Sequence, residues 1–188
     1  MSDITKKALL DALKEQLKIK PLEKITINDL TKTCGISRMA FYYHFKDIYD
    51  LIEWGCLRDT ASALQGKRTY DTWQEGLLQI FEAVLENKTF IMQVYRGVCR
   101  EQIENFLFSL THDLIMNVVK EKSAGLPVSE ENQAFIADFY KYGFVGIMLD
   151  WISKGMKEDY HDITEKMAVT LEGTIVTSIR NFCTAWET

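Results

Sequence analysis

Apolar residues recur at three- and four-residue steps along most of the chain. Ala8, Leu9, Ala12, Leu13 and Leu17 form a stripe over Thr5–Lys18, with lysines and glutamates opposite. That spacing predicts an amphipathic helix, which Pro21 bounds. Farther on, Trp73, Leu77, Ile80, Phe81, Val84 and Leu85 predict a helix over Thr72–Glu86. Asn87 and Thr89 mark a break before a short segment, Phe90–Tyr95, and a long helix from Arg100 to Glu121. Gly125-Leu126-Pro127 is a loop, and Ser129 stands where it can cap a helix over Glu130–Lys154, with Gly155 ending it. Asp159 opens a last helix to Trp186, along which Ile163, Met167, Leu171, Ile175, Ile179 and Phe182 keep the helical step.

Three short elements precede these. Thr26 can cap a helix over Ile27–Cys34, with Asp29 three positions on as a capping-box partner. Gly35 suits the left-handed turn that follows. Ser37 can cap a second helix, Arg38–Phe45, and Asp47 a third that begins at Ile48. Helix, glycine turn, helix is the helix-turn-helix pattern, whose second helix enters a DNA major groove. Leu30 and Ile36 would join the two helices, with Ile25, Phe41 and Phe45 behind. Spacing alone leaves open a helical hairpin with no partner.

Composition agrees with helices. Glycine and proline together make up 12 of 188 residues, too few for the turns of a sandwich or barrel. Apolar residues are 47% and charged residues 26%, an ordinary globular mix that excludes a disordered chain. No run approaches the apolar length of a membrane span, and the N-terminus lacks a signal-peptide core. Cys34, Cys56, Cys99 and Cys183 form no C-x-x-C pair, so neither a zinc site nor a disulfide framework is expected. These features point to the cytoplasm. Net charge is −5, with +2 on residues 1–58 and −7 on the rest. A slightly positive head on an acidic body suits nucleic-acid binding without establishing it.

The segment Gly35-Ile36-Ser37-Arg38-Met39-Ala40-Phe41-Tyr42-Tyr43-His44-Phe45-Lys46-Asp47-Ile48-Tyr49-Asp50-Leu51 resembles the signature of TetR-family transcriptional regulators. The match extends back through Thr26 and the first helix. Two positions depart from the family pattern. Met39 stands where a glycine is frequent, and Ile48 where a lysine commonly meets a phosphate. One backbone contact is therefore missing or moved. The stretch from Phe139 to Ile152, followed by Gly155-Met156-Lys157-Glu158-Asp159, is similar to a C-terminal domain type of such regulators from Gram-positive bacteria. Within that type it most resembles the dihydroxyacetone-kinase-regulator subgroup.

The resemblance implies an all-α chain. A three-helix helix-turn-helix head, residues 1–50, would stand on an antiparallel helical bundle, residues 51–188, that senses an effector and dimerises. It implies that Tyr42, Lys46 and the amide and hydroxyl of Thr26 meet phosphates, and that Arg38 and Met39 face base edges. Ser37, Asn28 and Tyr43 are further DNA-contact candidates. Arg can bond guanine bidentately, whereas Met can only touch a thymine methyl or shape the fit. His44 is expected to pack within the head.

In the body, the resemblance implies an aromatic-lined inducer pocket, for which Phe106, Phe139 and Tyr142 are candidates. Each could equally be core. His112 is expected to face solvent, and Asp113 is a weak pocket candidate. Glycines inside a helix cost about 1 kcal/mol each against alanine. Gly143 and Gly146 therefore suggest close helix approach, at a dimer interface with Val176 and Ile179 or inside one subunit.

An enzyme is not expected: there is no G-x-S-x-G, H-E-x-x-H, phosphate loop or G-x-G-x-x-G, and His44, His112 and His161 lie far apart. Redox sensing through Cys34 or Cys99 competes with plain packing. No cofactor or metal is expected. The expected partners are a double-stranded DNA operator, a second copy of the chain, and a small-molecule effector or protein coactivator, with no membrane. The function expected is a transcription regulator, with repression favoured. The alternatives are an activator controlled by a protein coactivator and a helical adaptor without DNA binding.

Overall fold

A computed structural model describes residues 2–61, 69, 71–96 and 100–184. Among them every regular element is helical. In chain order these are α1 (Ser2–Leu17), a 3-10 turn at Leu22–Lys24, α2 (Ile27–Cys34), α3 (Arg38–His44), α4 (Ile48–Ala61), α5 (Trp73–Glu86), α6 (Lys88–Arg96), α7 (Arg100–Ser123), α8 (Glu130–Ser153), α9 (Tyr160–Leu171) and α10 (Thr174–Thr184). Cys99 and Trp186 lie outside the described residues.

The chain divides into two compact units. The first holds residues 1–59 together with 86–106, and the second holds 60–85 with 107–188. In the first, α1 packs on α2 and α6, and α2 on α3. Leu9, Leu13, Leu30, Phe41, Leu51 and Ile52 are fully buried there. Lys14 of α1 donates from Nζ to Asn87 Oδ1 at 2.8 Å and lies 5.6 Å from the centre of the Phe90 ring. Residues just before and within α6 thus help complete the unit that contains α2 and α3.

The second unit is built on α8. Its Ile136, Phe144, Met148, Trp151 and Ile152 are buried, and α10 packs against it. Trp151 meets Phe81 of α5 edge-on at 5.1 Å, and Phe81 stacks on Tyr160 of α9 at 6.1 Å. The Trp151 indole N–H donates to the carbonyl of Glu158 at 2.9 Å, so this large ring is buried with its polar atom satisfied.

The last helix departs from expectation. It breaks into α9 and α10 at Gly173, whose φ of 68° lies in the left-handed region. The apolar step runs on through Leu171 and Ile175 without a gap, so periodicity hides the break. A glycine in the left-handed conformation ends a helix whatever the pattern beyond it.

Candidate nucleic-acid interface

Four local devices position the α2–α3 pair. Thr26 caps α2 with its side chain accepting from the Asp29 amide, and Asp29 returns the bond. Gly35 ends α2 at φ 66°, and the Ile36 amide donates back to the Thr31 carbonyl at 3.0 Å. Ser37 Oγ accepts from the Ala40 amide at 3.1 Å and starts α3. Asp47 Oδ1 accepts from the Asp50 amide at 2.9 Å and starts α4. Each was legible from residue type and spacing.

The capping box does more than cap. Asp29 Oδ2 accepts from the Thr26 amide and hydroxyl, both at 2.9 Å, and from Lys20 Nζ at 2.8 Å. Lys20 first, then Thr26, hold the Asp29 carboxyl down at about 2 from its ordinary 3.8. In the free head the exposed Thr26 amide and hydroxyl thus both donate to Asp29, so a phosphate contact from these groups would compete with that carboxylate. Lys20 was not legible as part of this network, because nothing local links it to a residue nine positions on.

On α3, Phe41 is fully buried and anchors the helix, with Phe45 at 5.9 Å and Tyr42 edge-on at 5.7 Å. That anchor turns Arg38, Met39, Tyr42 and Tyr43 outward. Met39 is 77% exposed, Tyr43 83% and Tyr42 47%. The Arg38 guanidinium lies 6.0 Å from the centre of the Tyr42 ring, and its Nη2 reaches the phenol oxygen at 3.4 Å. Asn28 and Lys46 are exposed. His44 is half-buried between Tyr43, at 5.0 Å, and Phe45, at 6.4 Å, and so packs within the head as expected. Cys34 is partly buried with its thiol on the Ala8 carbonyl at 3.4 Å. Burial, then Asp11, pushes that thiol up, away from the thiolate a redox sensor needs.

In the second unit, a groove of about 710 Å³ runs between α8 and α9. Phe139, Tyr142, Gly143 and Ile147 form one side, Met167 and Thr170 the other, with Asp150, Glu158 and Lys166 at its polar points. Phe139 and Tyr142 thus line a concavity, but one open to solvent: they are 67% and 61% exposed. Phe106 does not line it. It is 3% exposed and packs in the first unit. Behind Phe144, the space among Trp73, Leu114, Val118 and Ile175 is about 10 Å³, too little for a ligand.

Gly143 and Gly146 are exposed, and a Cβ on either would meet nothing within 4 Å. Val176 is half-buried. Ile179, 1% exposed, packs inside the subunit and cannot belong to a reachable interface. His112 is not solvent-facing as expected. It is half-buried, with Nδ1 3.2 Å from Asp138 Oδ1, which also accepts from Lys141 Nζ at 2.7 Å. Asp113 is exposed and away from the groove.

Residues 9–53 match the family described as bacterial regulatory proteins, tetR family. Residues 71–173, more than half of the chain, match the transcriptional regulator C-terminal region of such proteins. The chain belongs to the TetR family. Within that family it is 25% identical over 156 residues to the HTH-type dhaKLM operon transcriptional activator DhaS of Lactococcus lactis subsp. lactis (strain IL1403), covering 82% of each chain. Its fold is shared with the dihydroxyacetone kinase operon activator DhaS, at a TM-score of 0.65 and 22% identity over 95% of this chain and 98% of that one. It is shared also with NalD of Pseudomonas aeruginosa, the secondary repressor of the MexAB-OprM multidrug efflux pump, at 0.58 and 14% over 90% and 96%. The chain is thus an all-helical TetR-family regulator, from a family that binds DNA operators and typically forms dimers. Among the described residues no helix is long and apolar enough to cross a membrane.

Proposed function

We propose that this TetR-family chain acts as a homodimer that places α3 of each copy in the major groove of one operator, and that it activates transcription under the control of a protein partner. The outward face of α3 carries the DNA-binding part. Arg38, Met39, Tyr42 and Tyr43 stand on a helix held at both ends by caps and from behind by Phe41. Lys46 follows at its end. Two heads are needed because a seven-residue helix offers too few contacts for tight specific binding.

Among the described residues the spaces of the second unit large enough for a ligand are open to solvent, which supports control from outside. An enclosed inducer needs a cavity of about 300 Å³ or more, and about 10 Å³ stands behind Phe144. The open α8–α9 groove and the exposed Phe135, Phe139 and Tyr142 are the surfaces a partner can reach. Activation is favoured over repression by the similarity to DhaS, an activator, over 82% of both chains.

Footprinting the purified chain on duplexes selected from a random pool tests the first part. Protection of two symmetric half-sites on one DNA face is expected, and no protected duplex would overturn it. A promoter reporter with the selected operator tests the second. Deleting the regulator should lower expression, and a rise would make it a repressor.

A further inference from the structure

The outward face of α3 carries two parallel rows of side chains, each pair one turn apart. Arg38 and Tyr42 form a polar row, with Nη2 3.4 Å from the phenol oxygen and the guanidinium 6.0 Å from the ring centre. Met39 and Tyr43 form the second row, 77% and 83% exposed. Methionine has no hydrogen-bond donor and only a weak thioether acceptor. It cannot answer the donor and acceptor pattern of guanine, adenine or cytosine edges. The apolar feature that the major groove presents is the thymine 5-methyl.

We infer that Met39 and Tyr43 read thymine methyl groups, so that each operator half-site pairs one guanine, read by Arg38, with two thymines beside it. The inference rests on the DNA-binding reading of α3. The two side chains are four residues apart, about 6 Å along the helix axis. Along the groove, where each base step adds lateral travel to the axial rise of about 3.4 Å, that spans one to two base steps. The thymines should therefore lie one or two steps apart along the groove. Tyr43 contributes its ring rather than its hydroxyl, and Met39 its thioether arm. Tyr42 is assigned to the backbone, where its partner Arg38 leaves the phenol facing outward from the helix. Met39 thus fills the position where the family often has glycine with a side chain that selects sequence.

The test removes only the methyls. Operators are first selected with the full-length protein from random duplexes. Each thymine of a half-site is then replaced singly by deoxyuridine, which pairs identically. Two positions per half-site should lose affinity, by about fourfold each, the worth of one buried methyl-sized group. Met39→Ala should erase the penalty at one of them and Tyr43→Ala at the other, whereas Tyr43→Phe should keep it. Both residues are exposed, so these variants leave the core of the head untouched. Selected operators in which no deoxyuridine weakens binding would overturn the inference while leaving DNA binding intact. No selected sequence and no salt-dependent binding to any duplex would overturn the DNA-binding reading, and this inference with it.

Discussion

Arg38 rests against Tyr42: the guanidinium lies 6.0 Å from the ring centre, and Nη2 is 3.4 Å from the phenol oxygen. A side chain with this much rotamer freedom is thereby held near one direction before DNA arrives, which lowers the ordering cost of a base contact. Tyr42→Phe keeps the ring and removes the phenol. It should weaken operator and random DNA by about tenfold, as expected for one hydrogen bond to a charged group, with a smaller further loss on the operator from the missing Nη2 contact. Tyr42→Ala removes the ring as well and should also relax the preference at the base that Arg38 reads. Fluorescence anisotropy on the operator and on single-base variants separates the two effects. Equal loss on every sequence for Tyr42→Ala would show that the pairing does nothing for Arg38.

Lys46 is exposed and follows α3, while its amide is committed to Asp50 Oδ2 at 2.9 Å. The ammonium is left to meet a phosphate. Lys46→Ala should weaken all duplexes and flatten the dependence of log K on log salt by roughly one unit per protomer. Titrations at several salt concentrations check this, and an unchanged slope would remove Lys46 from the interface.

The Asp29 carboxyl is held at about 2, below its ordinary 3.8, by Lys20 and then Thr26. A lowered value in the folded head means that the carboxylate stabilises the fold in full above pH 4. The contribution is lost as pH falls from about 4 through about 2. Asp29→Asn should lower the melting temperature at pH 7, and the gap to the parent chain should close over that acid window. Melting curves from pH 7 to pH 2 show it. A gap that persists unchanged at pH 2 would mean that the carboxylate charge is not what the mutation removes.

Gly143 and Gly146 lie on the exposed side of α8 with open space where a Cβ would stand. In a lone subunit, replacing both by alanine should stabilise the helix by about 1 kcal/mol per site. If two copies meet there with helices in close approach, the same change should push them apart. The double variant should therefore melt higher as a monomer, yet dissociate at higher concentration in sedimentation velocity and bind the operator more weakly. Gly146→Glu should abolish the dimer outright, because it would bury an unpaired carboxylate. A fully dimeric Gly146→Glu variant would put the interface elsewhere.

The features that sequence displayed are those a few neighbouring residues decide. Thr26 with Asp29, Gly35, Ser37, Asp47, Ser129 and Asp159 all act within four positions of themselves, and each stands at the helix end where residue type and spacing put it. Features that depend on distant partners were hidden. His112 meets Asp138 across α7 and α8, 26 positions away, and no local pattern marks the pair. Phe106 carries the same helical step as the pocket candidates on α8, yet packs in the first unit. The break at Gly173 was masked because Leu171 and Ile175 keep the apolar step across it. The face of α3 was fully legible as residue types, but the contact of Arg38 with Tyr42 and the third bond to Asp29, from Lys20, show only in the folded head.

The first unit is assembled from two pieces of chain, residues 1–59 and 86–106, with 26 residues of the other unit between them. During synthesis the reading head is thus exposed before it is finished. At about 5–20 residues per second, the ribosome needs a few seconds after residue 59 to deliver Phe90, Ile91 and Val94. Until then the flank of α1 that will hold Asn87 and Phe90 through Lys14 has no cover. A nascent chain stalled before residue 86 would carry the outward side chains of α3 on an incomplete scaffold. Newly made protein would therefore gain operator affinity late, after α6 has docked, rather than as soon as α3 emerges.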